Sequence, residues 1–402
     1  MLLKFESVSR PVRLAQGLKI LPHLVRVFAR WPYREIRAEG AEDPAISIIE
    51  HGGSFILQAP WVEFERRYET AAEVSDAMAY HVTRAWMAEN PRLLSIGAAA
   101  ARFGNDLAAF VGGPRSGKSL LTSCLAASGH MAFADAYLPI SADTGHGIGL
   151  GIAPRLRLPL PDALSAPLRT LVEQHVDSGA DRLGYFKPHD GQMADFGGQA
   201  PIRAFILLDR TDGAATALRP VAASTVLKRL LLSSFDALPS AHDSLELLHK
   251  LVDDTACYKL TWSDPMEAVA ALRARFALWR PRNADDDSPG TRPAKALQRR
   301  ASGPRKPSGR QFRHVEGLGE RQVDNDLFLV DPDGDAVYHL NGLGAGLWRL
   351  LDESHGQNDA VSLLRDAYPL VSCDDLAEDV ERLISDLTER GLLVEKKAGE
   401  AG

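Results

Sequence analysis

The octapeptide Gly112-Gly113-Pro114-Arg115-Ser116-Gly117-Lys118-Ser119 constrains this chain more than any other feature. It satisfies G-x-x-x-x-G-K-[ST], and residues 107–111 before it read as a strand while residues 120–128 after it read as a helix. Glycines are needed there because backbone N–H groups must approach phosphate oxygens closely, and the N-terminus of the following helix faces the anion. In such a loop the lysine reaches the β- and γ-phosphates and the serine hydroxyl ligates Mg²⁺. The ATP-binding residues expected are therefore Gly112 to Ser119 together with Leu120, which opens the helix.

A phosphate loop also needs an acidic partner at the end of a neighbouring strand. Two candidates fit: Asp135, closing Met131-Ala-Phe-Ala-Asp135, and Asp209, closing Ala204-Phe-Ile-Leu-Leu-Asp209. Asp209 has the apolar-run-then-Asp form, but Arg210 and a Thr-Asp-Gly turn follow it, where an Asp is equally expected as a turn residue. Pattern alone leaves both open.

Around the loop the chain alternates short β-rich runs with helical periods. Residues 46–50 and 55–58 flank His51-Gly52-Gly53 as a hairpin, and residues 93–101 and 107–111 form a second hairpin around Gly104-Asn105-Asp106. Thr70-Ala-Ala-Glu73 is a capping box, followed at helical spacing by Val74, Met78, His81, Val82, Ala85 and Trp86. The stretch 10–33 reads as a basic, apolar helix lying on the body, interrupted by Pro22. From 130 to 280, strands and helices alternate in α/β layers. His130 reads as a packing histidine and His146, between Gly145 and Gly147, as a loop residue.

Near residues 281–312 Pro, Gly, Ser and charge replace all apolar periodicity, as in a flexible linker. A coil of that length spans about 30 Å on average. After it, residues 327–330 and 337–340 bracket the turn Asp331-Pro-Asp-Gly-Asp335, and three helical stretches follow near 343–352, 358–368 and 374–390. That order suggests a small α+β, winged-helix-like domain.

Charge follows the same divisions. The chain has 402 residues, is 45% hydrophobic and carries a formal charge of −7, yet residues 281–314 hold 9 basic against 3 acidic residues, and residues 315–402 hold 7 against 20. The acidic C-terminal segment favours a ligand with basic groups. Arg299, Arg300, Arg305 and Lys306 either fold back onto it or belong to a solvated spacer. Cys124, Cys257 and Cys373 are isolated, which suggests neither a disulfide framework nor a zinc site and suits a reducing cytoplasm. No run approaches the ~18–20 apolar residues of a membrane span, and residues 1–10 lack a signal-peptide core.

The loop, its helix and the segment Gly129-His130-Met-Ala-Phe-Ala-Asp135-Ala136 resemble HPr kinase/phosphorylase and its relatives. Ala153-Pro-Arg155-Leu-Arg157-Leu-Pro, Leu183-Gly-Tyr-Phe-Lys187 and Tyr258-Lys-Leu-Thr-Trp-Ser-Asp-Pro-Met-Glu extend the resemblance over residues 40–280. It implies an α/β P-loop kinase domain of HPr-kinase type, with residues 1–92 as its N-terminal part and 93–280 as its core. It favours Asp135, which with Ser119 would hold Mg²⁺ and, with Lys118, carry the catalysis of phosphoryl transfer to a hydroxyl. Arg155, Arg157 and Lys187 either close over the triphosphate or belong to a solvated strand face. The sequence departs from the family at Ala136, where a second Asp is usual, and at Ser95-Ile96-Gly97, where a His is frequent; either one carboxylate does both jobs, a nearby residue such as Asp143 substitutes, or catalysis is impaired. Relatives of this body are often oligomers, so a homo-oligomer is implied.

Residues 313–396 resemble the PqqD family, whose members capture the leader of ribosomally made, modified peptides. The matching core is Val337-Tyr-His-Leu340-Asn341-Gly-Leu-Gly-Ala-Gly-Leu-Trp348-Arg-Leu-Leu351, followed by Asp379-Val-Glu-Arg-Leu-Ile-Ser-Asp-Leu387 and Gly391-Leu-Leu393. An extended peptide would add to an exposed strand edge, while Leu347, Trp348 and Leu351 pack the core.

Together the halves imply an ATP- and Mg²⁺-dependent kinase acting on a Ser or Thr of a tethered precursor peptide. The alternatives are a nucleotide-binding chaperone that presents the precursor to other modifying enzymes, and a kinase of a small metabolite. Neither nucleic acid nor membrane is an expected partner.

Overall fold

The computed structural model describes residues 1–15, 19–37, 43–160, 164–178, 183–235, 238–277, 307–352, 356–367 and 373–396. Their contacts divide into two units: Met1–Val221 with Thr225–Leu238 and Lys250–Asp286, and Ala222–Ser224 with Pro239–His249 and Asp287–Gly402. Four basic residues of the linker, 299, 300, 305 and 306, for which a fold-back or a solvated spacer is expected, lie outside the described residues.

In the first unit the chain opens with β1 (Leu2–Phe5), β2 (Val12–Leu14), α1 (Leu21–Val27), β3 (Tyr33–Ile36), β4 (Ile46–His51), β5 (Ser54–Gln58) and β6 (Arg66–Tyr68). The strands form one sheet in the order β3-β1-β2-β4-β5-β6. Gly52 and Gly53 take φ of +59° and +86°, the left-handed pair that a two-residue hairpin turn requires. The expected helix over 10–33 is instead a strand, a seven-residue helix and a turn. Pro22 stands in the first turn of α1, where a missing N–H costs no hydrogen bond.

Next comes α2 (Ala71–Ala88), started by Thr70, whose Oγ1 accepts the Glu73 N–H at 3.1 Å. Its expected apolar stripe is buried. Trp31 stacks on Phe196 with ring centroids 4.4 Å apart, and Trp86 meets the same Phe196 edge-on. One buried cluster joins Phe5, Trp31 and Trp86 to Ala132, Leu150 and Tyr185, so the opening sheet shares its core with the phosphate-loop layer.

That layer follows with β7 (Leu93–Ile96), β8 (Ala98–Phe103), β9 (Asp106–Val111), α3 (Lys118–Ala127), β10 (Met131–Ala134), β11 (Leu138–Ser141) and β12 (His146–Ile148). Then come β13 (Arg155–Arg157), α4 (Ala166–His175), β14 (Val176–Ser178), β15 (Leu183–Phe186), β16 (Gln199–Arg210) and β17 (Ala217–Pro220). It ends with α5 (Ala223–Ser233), β18 (Ser234–Phe235), β19 (Ala256–Trp262) and α7 (Pro265–Phe276), while α6 (Ala241–Asp254) falls largely in the second unit. The parallel core is β9-β16-β19, with Leu207 opposite Val111 and Lys259. β9 is buried throughout, hence its unbroken apolar run. The alanine run of β8, weak in strand propensity, is held extended by β9 on one edge and β10 on the other.

Two expectations need correction. The run 93–101 breaks at Gly97, whose N–H bonds the Ser233 carbonyl at 2.8 Å and where a Cβ would sit 3.3 Å from that oxygen. β7 therefore leaves the hairpin and pairs with β11 and β18. His146 is no loop residue: β12 is inserted between β11 and β16.

In the second unit, β20 (Phe312–His314), β21 (Gly319–Val323), β22 (Asp326–Val330) and β23 (Val337–Leu340) precede α8 (Gly342–Asp352), α9 (Gln357–Ala367), α10 (Cys373–Glu389) and β24 (Leu393–Glu395). β21-β22-β23 form one sheet and β20-β24 a separate pair. The domain begins before the expected boundary: Gln311 bridges Gly356, and the Ser308 N–H bonds Asp359 at 2.7 Å. Leu347, Trp348 and Leu351 are buried with Phe312, Leu329 and Ile384, as core residues should be. Asn341 caps α8, its Oδ1 accepting the Gly344 N–H at 3.0 Å.

Candidate functional site

β9 delivers the chain into the loop and α3 takes it away. Gly117 caps α3 at φ +88°, and a Cβ there would lie 2.5 Å from the Trp262 ring, so only glycine fits between the helix start and β19. A Cβ on Gly112 would fall 2.5 Å from Ser116 Oγ, and one on Gly113 3.0 Å from Arg229 Nη2. Pro114 and Arg115 lie exposed at the tip, Arg115 in the left-handed region at φ +65°. Leu120 turns its side chain into the core.

Lys118 Nζ donates to the Gly112 carbonyl at 2.7 Å and to the Gly113 carbonyl at 3.1 Å, which places the ammonium inside the loop. Burial, opposed by Asp135 and reinforced by Arg229, holds it below the usual lysine range.

Asp135, just past β10, is the carboxylate joined to the loop. Its Oδ2 accepts the Ser119 hydroxyl at 3.0 Å and the Arg155 backbone N–H at 3.1 Å. Its Oδ1 is buried with no hydrogen-bond partner among the described residues. Burial pushes the carboxyl up to about 6, against the pull of these donors and of Arg155 and Lys118.

Asp209 is engaged elsewhere. It pairs with Lys259 at 2.8 Å and accepts from Thr211 and Thr261, and the Lys259 hydrogen bond holds it below the ordinary carboxylate range. Asp143 is ion-paired to Arg92 on the exposed turn after β11. The position of Ala136 is thus not filled by Asp143.

Of the three candidate phosphate-contacting cations, the structure brings one to the carboxylate. Arg155, on β13, is half-buried; Arg157, two residues on, is exposed, as is Lys187 beyond β15. The Arg155 guanidinium pairs with Asp76 of α2, which also accepts the Tyr185 hydroxyl at 3.1 Å. Burial pushes Asp76 up from its ordinary value although Arg155 and Tyr185 stabilise its charged form. Between Asp76 and Asp135 lies a cavity of about 50 Å³, walled also by Val27, Ala79, Tyr137, Leu150 and Tyr185. His130 packs against Phe103 with centroids 4.4 Å apart, a packing residue as its sequence context indicates.

Sequence reasoning did not single out Asp76, Arg229 or Trp262. Asp76 leaves one signal, a carboxylate off the apolar stripe of an otherwise well-buried helix. Arg229 and Trp262 leave none, because strand and helix packing alone carries them to the loop.

The residues present fit a magnesium nucleotide. A glycine cradle, a lysine inside it, a serine hydroxyl on a carboxylate, and unpartnered Ser116 Oγ and Asp135 Oδ1 converge at one helix N-terminus. Among the described residues no cluster of three or more metal-ligating side chains occurs. A cation held by Ser119 and Asp135 would therefore complete its shell with phosphate and water oxygens, as Mg²⁺ does.

In the second unit, β23 lies at the edge of its sheet with Val337, Tyr338 and His339 half-exposed. Arg390, following α10, lies over the Tyr338 ring at 5.4 Å, and Leu383 of α10 approaches Gly344 of α8. The end of the last helix thus lies beside the edge strand. Among the described residues no helix is long and apolar enough to cross a membrane.

Residues 326–393 match the family model of coenzyme PQQ synthesis protein D (PqqD), and that segment is a PqqD domain. No curated protein matches the chain. Among solved structures, TbiB1 in complex with the TbiA(beta) leader peptide is similar, at 19% identity and a TM-score of 0.19, over 22% of this chain and 99% of that one. The Hpr(Ser) kinase/phosphatase from Coxiella burnetii is similar at 10% identity and a TM-score of 0.23, over 45% of this chain and 89% of that one.

Proposed function

We propose that this chain is an ATP-dependent kinase that phosphorylates a serine or threonine hydroxyl of a ribosomally made precursor peptide, held through its leader by the C-terminal domain. The observation that carries the reading is the Ser119–Asp135 hydrogen bond beside Lys118, in a chain that also holds a PqqD domain. The domain's strands and three helices suit a winged-helix-like module, and isolated cysteines suit a cytoplasmic enzyme.

Lys118 neutralises the β- and γ-phosphates, and the backbone N–H groups of Gly113 and of residues 115–119 take their oxygens. Mg²⁺ between Ser119 and Asp135 would screen the charge that develops between β- and γ-phosphate. The acceptor oxygen bonds to the γ-phosphorus, the bond to the β-bridging oxygen breaks, ADP leaves, and the hydroxyl proton passes to Asp135. Oδ1, which has no hydrogen-bond partner among the described residues, is the atom positioned to take it. Arg155 supplies positive charge on the acceptor side.

The leader adds to β23 and lays its side chains against α10. Tethering raises the local concentration of the core segment at the loop. Incubating the full chain with MgATP and a leader-bearing precursor peptide should add the mass of one phosphoryl group to the peptide. Tight peptide binding with no mass gain would favour the second reading, a presenting module without transfer, for which the lone carboxylate beside Ala136 is the specific support.

A further inference from the structure

Among the N-terminal residues that line the cavity, Val27, Asp76 and Ala79, Asp76 carries the charge. We propose that Asp76 of α2 is a positioning residue for phosphoryl transfer: it fixes the Arg155 guanidinium, and with it the β13 backbone that holds Asp135, on the acceptor side of the site. The inference rests on the kinase reading above and deepens it.

Three contacts carry it. Asp76 is the ion-pair partner of Arg155 through one carboxylate oxygen and accepts Tyr185 Oη at 3.1 Å through the other. Arg155 and Tyr185 are directly opposed across β13 and β15, so Asp76 clamps a cross-strand pair from above. Arg155 in turn donates its backbone N–H to Asp135 Oδ2, the oxygen that also holds Ser119. A continuous chain of polar contacts therefore runs from α2 to the phosphate loop, and the cavity between its two carboxylates is closed on the α2 side by Asp76 and Ala79.

The chemistry explains the arrangement. A carboxylate that accepts a proton must present one oxygen while the other is fixed, and here Oδ2 is fixed by two donors. One of those donors is only as rigid as β13, a three-residue strand. Asp76 supplies the rigidity, since a misplacement of about 1 Å at a reacting group can cost about 10²-fold. The site thus has a second carboxylate after all, delivered from the opening helix rather than from the position next to Asp135. It acts through the arginine and takes no part in metal binding.

The test uses the full chain, [γ-³²P]ATP with Mg²⁺, and a serine-centred peptide library, together with fluorescent-ATP binding and thermal melting. Asp76→Asn should lower kcat about 10²-fold with KM for ATP within about threefold of the parent. Asp76→Glu should recover part of that loss. Arg155→Gln should fall as far, and the double variant no further, because both changes break the same clamp. Removing one partner of a buried pair also destabilises the fold, so the double variant, which leaves no unpaired charge, is the decisive one. If it regains both melting temperature and turnover, the pair is a structural staple and the proposal is overturned. A kcat for Asp76→Asn within threefold of the parent, or losses that multiply in the double variant, would overturn it too. No label transfer by the parent chain, with nucleotide binding intact, would instead overturn the kinase reading on which it rests.

Discussion

The phosphate-loop unit and the C-terminal domain solve recognition in opposite ways. The first unit uses side chains fixed to the ångström: Lys118 within its loop, Ser119 on Asp135, and Arg155 between two carboxylates. The second offers the edge strand β23, on which the proposal places the leader, while its apolar side chains mainly build the core. Chemistry on a γ-phosphate tolerates little displacement, whereas strand addition tolerates many peptide sequences. Single substitutions should therefore be severe in the first unit and graded in the second.

The largest expected contrast comes from Asp135→Asn. It should lower kcat about 10³-fold, within the range for removing a general base, and leave peptide affinity measured by fluorescence anisotropy unchanged. An equal loss in both measurements would break the comparison. Next, cutting the chain within residues 278–306 should reduce turnover of the leader-bearing precursor about 10²-fold, from lost effective concentration, and leave a leaderless peptide unaffected. Equal losses on the two substrates would show that the domain does not act as a tether.

Smaller in size, but specific in sign, is the pH dependence. Burial raises the folded pKa of Asp135 to about 6, so the base form is lost below that value. kcat/KM should fall about tenfold per pH unit below 6 and level off above it, provided Asp135 carries the proton. The same shift opposes stability in the other direction: the protonated carboxyl favours the fold fully below the ordinary Asp value of 3.8, and that contribution is lost as pH rises through about 6. His81 is the converse case, since burial lowers it from 6.5 to about 4, so its contribution is present above 6.5 and lost as pH falls toward 4. Thermal melts of His81→Gln should show a flatter acid limb between those values than the parent. Smallest of all, Arg390→Ala should weaken peptide binding a few-fold by removing the cation over Tyr338, about 0.5–1 kcal/mol at an exposed site.

The same contrast decides what could be read from the chain alone. Loop residues 112–119 are legible because the phosphate dictates their spacing, and the capping box of α2 and both hairpin turns because local chemistry dictates them. Pattern does not separate Asp135 from Asp209, as both close an apolar strand; their partners, Ser119 for one and Lys259 for the other, are set by packing between distant segments. Asp76 and Arg229 reach the site across long stretches of sequence, so no local spacing encodes them. The break at Gly97 depends on a carbonyl from residue 233, and the strand at His146 depends on two neighbours that pull it into a sheet. In the C-terminal domain the core residues are legible from their periodicity, but a binding edge made of backbone leaves little trace in side chains.

The central claim is that loop, carboxylate and peptide-binding domain serve one reaction. Its most direct measurement is the intact mass of the leader-bearing precursor after incubation with the full chain and MgATP, with Asp135→Asn as control. The account predicts a gain of one phosphoryl group on a serine or threonine outside the leader, absent from the control. An unchanged mass, with both nucleotide and precursor demonstrably bound, would contradict it.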